Sequence, residues 1–310
     1  MAHQKVLERM EIREHWHGPE KLWTLSCTSN DDGFRVVSVI VMGREECVVW
    51  DTQWTLSNAH RVVAEIYEHG RRPKALMISH AHPDHYFGTE VFLAAFPDTP
   101  VYALAEDIPI IEEQFLPKLD HWKSEIGAFN CASKPLLLLP YEKGVLDLDG
   151  FEIEVIDHIW GDVKYNSIMW IPSIKTVACS DVVFNMAHPF TCELTDAGRQ
   201  HWIEDLEKVR ALGAEVVIPG HTMFNLGFDE RAIDFTSDYL KKTVEALDAG
   251  RQAMKGGLSG DVVARQFYYE LDNYVFDAQL KRSNEMNANV FFAGREWNDL
   301  WNENMGGADE

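Results

Sequence analysis

Apolar positions change their period several times along the chain, and each change marks an element. Residues 22–27, 36–42 and 47–51 are short runs rich in Val, Ile, Trp and Cys, the last two separated by Gly43-Arg44-Glu45. Such runs predict an antiparallel start. Leu56, Val62, Val63, Ile66 and Tyr67 then recur at helical spacing, with Gly70 and Pro73 as stop signals. The apolar stretch 74–79 reads as a buried strand that runs straight into a polar hexapeptide, residues 80–85. Open α/β sheets place chemistry at such strand ends.

A helix over 89–96 and a strand over 101–104 follow. Residues 105–135 read as helical but irregular, broken at Pro109 and Pro117, and form a candidate cover for a substrate. Strand-like runs resume at 136–139, 151–157, 167–171 and 176–180, joined by turns at Gly150, Gly161 and Pro172-Ser173. They predict a second antiparallel block. Trp202, Leu206, Val209 and Leu212 make an amphipathic helix over 197–212, ahead of a strand at 215–218 that ends in Pro219-Gly220-His221-Thr222. From Phe228 onward the pattern is helical, interrupted at 256–260, and the acidic tail after Asn304 is expected to fray. Two β-rich blocks, each followed by helices, predict an α/β architecture with helices outside paired sheets.

Charge narrows the range of partners. With 28 Lys and Arg against 50 Asp and Glu, the net charge is −22. Binding through phosphates needs Lys and Arg that displace condensed counterions, so neither nucleic acid nor an anionic membrane is an expected partner. No apolar run approaches the roughly 18 residues of a membrane span, and residues 1–18 hold no signal-like apolar core. Cys27, Cys47, Cys131, Cys179 and Cys192 are scattered and show no C-x-x-C spacing, as expected of reduced thiols in a cytoplasmic protein.

The hexapeptide His80-Ala81-His82-Pro83-Asp84-His85 carries the chemistry. In an extended segment residues i and i+2 point the same way, so His80 and His82 can address one ion while Asp84 and His85 address a neighbouring one. Following an apolar strand, it resembles the H-x-H-x-D-H motif of the metallo-β-lactamase superfamily. Further segments agree in order. Asp51-Thr52 resembles the family's Asp-Thr-Gly strand end, with Gln53 in place of Gly; Ser180-Asp181 resembles its Gly-Asp; Pro219-Gly220-His221 resembles its late Pro-Gly-His. The resemblance covers about residues 20–226.

It implies an αββα four-layer sandwich with a C-terminal helical extension. The catalytic domain would span 1–227, including the variable cover at 105–135, and the extension would span 228–310, packed on the same domain. One motif departs. Where the family has a Gly-His-Thr ligand, this chain reads Trp160-Gly161-Asp162-Val163-Lys164-Tyr165-Asn166-Ser167. Either Asp162 ligates through oxygen, or His158 turns inward to replace the missing imidazole. Gly161 and Asn166-Ser167 keep the motif's register and favour Asp162, and acidic residues at this point resemble those of alkylsulfatases.

The implied ligands are His80, His82 and Asp162 for one ion and Asp84, His85 and His221 for the other, with Asp181 bridging. Zinc is the ion the resemblance implies; an added carboxylate shifts preference toward iron or manganese. Two such ions about 3.5 to 4 Å apart can share one water and lower its pKa toward about 7. Asp84 is read either as a ligand alone or as a ligand that also orients the hydroxide or passes its proton on. Asp51 is the expected support for a ligating imidazole, with a helix N-terminal contact as the alternative.

Trp54, Tyr86, Trp160 and Phe184 sit beside motif residues, as pocket walls for an apolar or aromatic substrate or as core filling. His188 and His201 read as ordinary surface or core residues, and Cys179 as a small buried hydrophobe on the face of Asp181. The resemblance implies a hydrolase of a small ester, lactone or thioester acting on a small-molecule substrate, with homo-oligomerisation left open. A bridging Asp181 argues against a true β-lactamase. Sulfate-ester hydrolysis is the alternative that Asp162 supports, although the large appended domains of alkylsulfatases are not expected from this sequence; a phosphodiesterase fits the charge poorly. From other classes, an iron-dependent redox enzyme and a binding or regulatory protein that keeps the fold also stay open.

Overall fold

The computed structural model describes residues 9–18, 21–142 and 144–294. The chain divides into two compact units, Met1–Ile153 and Glu154–Glu310. The division does not coincide with the boundary at 227/228 expected from sequence.

In the first unit, β1 (Met10–His15), β2 (Trp23–Ser29), β3 (Val37–Met42) and β4 (Glu46–Trp50) form an antiparallel meander. Helix α1 (Leu56–Glu68) then crosses over to β5 (Arg72–Met77), which lies parallel to β4. Short helices α2 (Pro83–Tyr86) and α3 (Thr89–Ala95) lead to β6 (Val101–Ala103), and α4 (Asp107–Ile126) to β7 (Leu139–Pro140), both strands continuing the sheet in parallel. The sheet order follows chain order from β1 to β7; β8 (Val145–Leu148) comes after it. Every residue of β2 and β3 is buried; β3, Val-Ser-Val-Ile-Val-Met, accordingly reads as a nearly continuous apolar run, whereas β2, Trp-Thr-Leu-Ser-Cys-Thr-Ser, keeps its alternation and buries small polar side chains on its second face. Thr55 starts α1 by accepting the Asn58 amide on its side chain.

Two expectations for this unit fail for physical reasons. β1 is absent from the sequence reading because an edge strand of alternating charged and apolar residues, Met-Glu-Ile-Arg-Glu-His, carries little hydrophobic signal. The segment 105–135 contains one continuous 20-residue helix and is not broken at its prolines. Pro109 sits in the first turn of α4, where an amide has no helical partner to lose, and α4 continues through Pro117.

The second unit contains all but the first three residues of β9 (Phe151–Ile159), then β10 (Asn166–Ile171), β11 (Thr176–Ala178), β12 (Phe184–Asn185), α5 (Asp196–Ala211), β13 (Val216–Ile218) and β14 (His221–Thr222). Strands β13, β11, β10 and β9 are neighbours in that order, and β12 pairs in parallel with β14. Helices α6 (Arg231–Lys255), α7 (Gly260–Tyr274) and α8 (Lys281–Phe292) belong to the same unit, with the break at 256–260 where the glycines predict it. Thr236 on α6 accepts the Phe184 amide of β12 at 2.9 Å, and Tyr239, Leu247, Val263, Phe267, Leu271 and Phe292 share one core. The tail after Asn304 lies outside the described residues. No described helix is long and apolar enough to cross a membrane.

Part of this core titrates. His188 is fully buried; its Nδ1 lies 2.9 Å from Tyr239 Oη, its Nε2 lies 3.6 Å from Asp272, and Lys281 faces that same carboxylate at 2.9 Å. Burial holds the imidazole pKa down to about 4, against the partial opposing pull of Asp272. The unfolded imidazole protonates near the ordinary 6.5, so as pH falls from 6.5 to about 4 the unfolded chain takes up the proton first and stability is lost. About 3 kcal/mol is at stake across that window. Urea midpoints measured between pH 7 and pH 4 should therefore fall more steeply for the wild type than for His188→Asn.

Candidate metal centre

In the first unit, the ends of β4 and β5 are tied together before the histidines begin. Asp51 donates its amide to Met77 O at 2.9 Å, and Thr52 donates its amide to His85 O at 2.8 Å. Gln53, which stands in place of the family's Gly, has φ +74°. That backbone costs a non-glycine residue about 1–2 kcal/mol. The side chain offsets it: Nε2 lies 2.9–3.2 Å from Ser38 Oγ, Cys27 O and Val36 O, all on or beside β2 and β3.

His82 has an extended backbone and caps α2, with Pro83 at its first position. The rings of His80 and His82 are 4.8 Å apart, and those of His80 and His85 are 4.3 Å apart. Asp84 is half-buried, its Oδ2 3.6 Å from His85 Nε2. Three imidazoles and one carboxylate, all types that ligate metals, are thus gathered at the end of β5.

The carboxylate of Asp51 sets which nitrogen each imidazole presents. It accepts the Ser79 amide and the Ser79 hydroxyl, both at 2.9 Å, and the His85 Nδ1 proton at 2.8 Å. His85 therefore carries its proton on Nδ1 and offers Nε2 as donor atom. Ser79 Oγ is also 2.9 Å from His80 Nδ1. A hydroxyl has one proton, here spent on a carboxylate that can only accept, so Ser79 must accept from His80 Nδ1. His80 is thereby left with Nε2 as its lone-pair nitrogen too. Asp51→Asn replaces one acceptor oxygen by an NH2 group. It should weaken metal affinity about 10- to 100-fold with little change in fold, as read by competition with a chromophoric chelator.

In the second unit, Asp162, Asp181 and His221 are buried. Asp162 follows β9, donates its amide to Asp181 O at 3.3 Å and faces Asn166 Nδ2 across 3.4 Å. Asp181 lies in a 3-10 turn after β11, its Oδ2 3.1 Å from His221 Nε2. His221 starts β14, and its ring stacks on Phe184 at 5.1 Å. Two glycines make room for this approach. A Cβ on Gly220 would come within 2.3 Å of Asp181 Oδ1, and one on Gly161 within 2.7 Å of Asp181 O. Imidazole nitrogens and carboxylate oxygens in this proportion fit divalent cations such as zinc, iron and manganese.

The other sequence candidates are placed differently. His158 has a side chain 52% exposed, with Nδ1 3.2 Å from Asp157. Trp54 and Tyr86 are buried, in keeping with the core-filling alternative: Trp54 packs edge-on against Phe34 and Trp122, and Tyr86 packs edge-on against Phe87 and stacks on Phe115. Burial raises the Tyr86 phenol pKa. Phe184 is likewise buried, under His221. Trp160 is half-buried, donates its amide to Asp205 at 2.8 Å and covers His201. Cys179 is buried and its thiol pKa is raised by burial. Ser79 is the residue the sequence reading misses: a serine at a strand end has no signal until its two partners are known.

A family model described as the metallo-β-lactamase superfamily matches residues 31–221. No curated protein matches the chain by sequence. Among solved structures, the DIM-1 metallo-β-lactamase exposed to ceftazidime superposes with a TM-score of 0.55 at 18% identity, covering 76% of this chain and 99% of that one. A metallo-β-lactamase from Hirschia baltica gives 0.51 at 15% identity, covering 75% and 98%. A double mutant of the sec-alkyl sulfatase PisA1 gives 0.59 at 16% identity, covering 96% of this chain and 52% of that one. At such identities the likeness is one of fold.

Proposed function

The chain belongs to the metallo-β-lactamase superfamily of hydrolases, and from that premise we propose that it cleaves a small ester, lactone or thioester at a centre of two divalent ions, zinc foremost. One observation carries the reading: each unit brings its own motif residues together, His80, His82, Asp84 and His85 in the first and Asp162, Asp181 and His221 in the second. By the sequence assignment His80, His82 and Asp162 would hold one ion and Asp84, His85 and His221 the other, with Asp181 as a ligand that both would share. Bound there, the ions would supply Lewis acidity toward the scissile group and a water of lowered pKa for attack.

The chain's own residues do the rest. Asp51 and Ser79 hold His85 and His80 in the Nε2-presenting tautomer, and Asp181 stands against His221 Nε2. Asp84, half-buried while the histidines beside it are buried, would orient the attacking water and hand its proton to the leaving group, a reading its partial exposure supports. A net charge of −22 supports a small-molecule substrate over nucleic acid or an anionic membrane, and scattered free thiols support a cytoplasmic setting.

A second reading, hydrolysis of a sulfate ester, is favoured by two observations. The sec-alkyl sulfatase is matched over 96% of this chain, through the C-terminal helices, whereas the two β-lactamases match 75–76%. Position 162 also holds a carboxylate in place of an imidazole. A metal-replete panel of aryl esters, lactones, thioesters, alkyl sulfates and β-lactams separates the readings. Turnover confined to carboxyl or thioesters supports the first and turnover confined to alkyl sulfates the second; no turnover of any class by the two-ion protein overturns both.

A further inference from the structure

Helix α4 buries a stripe that is unusual in composition: Asp107, Ile111, Gln114, Phe115, Lys118 and Trp122. Lysine is among the residues least often buried, yet Lys118 is 3% exposed, and its Nζ donates to Ala81 O at 2.9 Å. Ala81 is the residue between His80 and His82, and it is itself 5% exposed. It lies in a bend between β5 and α2, so no strand or helix ladder fixes its peptide plane. Asp107 sits three turns earlier on the same stripe, buried, with its carboxyl pKa raised well above the ordinary value by desolvation and pulled back partly by His82 and Lys118.

We propose that Lys118 is a positioning residue for the His80 and His82 ion: by holding the carbonyl of Ala81, it sets the backbone between the two histidines so that both imidazoles address one cation. The inference rests on the two-ion reading above. It assigns α4 a role distinct from the substrate cover expected of 105–135, since the helix then bears on the metal-ligand loop. Its electrostatics sharpen the test. An ammonium one residue from two ligands repels a cation, so if its charge mattered most, removing it would tighten metal binding. Positioning requires the opposite sign.

The experiment titrates zinc into metal-free wild type, Lys118→Met and Lys118→Arg in competition with a chromophoric chelator, with thermal midpoints of the metal-free proteins recorded alongside. In Lys118→Met one of the two zinc equivalents should weaken by about tenfold or more, with the other nearly unchanged. Lys118→Arg, which keeps a donor for the carbonyl, should recover most of the loss. Wild-type or tighter affinity for both equivalents in Lys118→Met overturns the inference, as does equal weakening of both, which would mark general loosening. If the methionine variant does not fold, Lys118→Leu, which likewise has no donor, is read by the same criteria. A wild type that takes up no zinc, iron or manganese contradicts the two-ion reading itself, a result distinct from wild-type uptake with no selective loss in the variants.

Discussion

Replacing His82 by alanine should lower turnover by roughly a thousandfold or more and remove one of two metal equivalents, while the fold survives. The imidazole is one of the two that the H-x-H spacing directs to a single ion, its ring 4.8 Å from that of His80. Metal Lewis acidity is worth several kcal/mol of transition-state stabilisation, and about 1.4 kcal/mol corresponds to a factor of ten. Folding should be spared because His82 caps α2 through its backbone, with no side-chain capping bond to lose, and Pro83 keeps the first turn organised. The checks are kcat/KM with the best substrate of the panel, elemental analysis and a urea midpoint. Unchanged turnover would remove His82 from the mechanism.

The second large effect is a ranking. Asp162→Ala should lose metal and reduce turnover by at least about a hundredfold, whereas His158→Ala should stay within about threefold of wild type. Asp162 is completely buried, with its amide on Asp181 O and Asn166 against its carboxylate. The His158 side chain is half in solvent beside Asp157. An exposed imidazole can be cut back with a stability change of about 0.5 kcal/mol or less. Metal content of the two variants, purified in parallel, decides the matter; the reverse order would make His158 the third ligand of the His80 and His82 ion.

Much of the fold is legible along the chain because short-range periodicity reports burial. The runs at 36–42 and 47–51 become β3 and β4, the 3.6-residue period at 56–67 becomes α1, and the glycines at 256–260 separate α6 from α7. Legibility fails where a neighbour supplies what the local pattern lacks. β1 alternates charge with apolar residues and is a strand because β2 pairs along its whole length. Gln53 adopts a backbone suited to glycine because three acceptors in and beside distant strands receive its side chain. Trp54 and Tyr86 flank motif residues in sequence, yet they fill the packing of their own unit.

The same divide runs through the chemistry. Residue types and their offsets, His80, His82, Asp84 and His85 after an apolar strand, with Asp181 and His221 at later strand ends, are properties of one dimension and mark the chain as a metallohydrolase without coordinates. Folding alone settled which nitrogen His80 and His85 present, why the carbonyl between His80 and His82 is gripped by a lysine 37 residues downstream, and which of Asp162 and His158 is withdrawn from water. Those outcomes depend on hydrogen bonds and desolvation between segments far apart in the chain, and such terms act only after the backbone has brought the partners within about 3 Å.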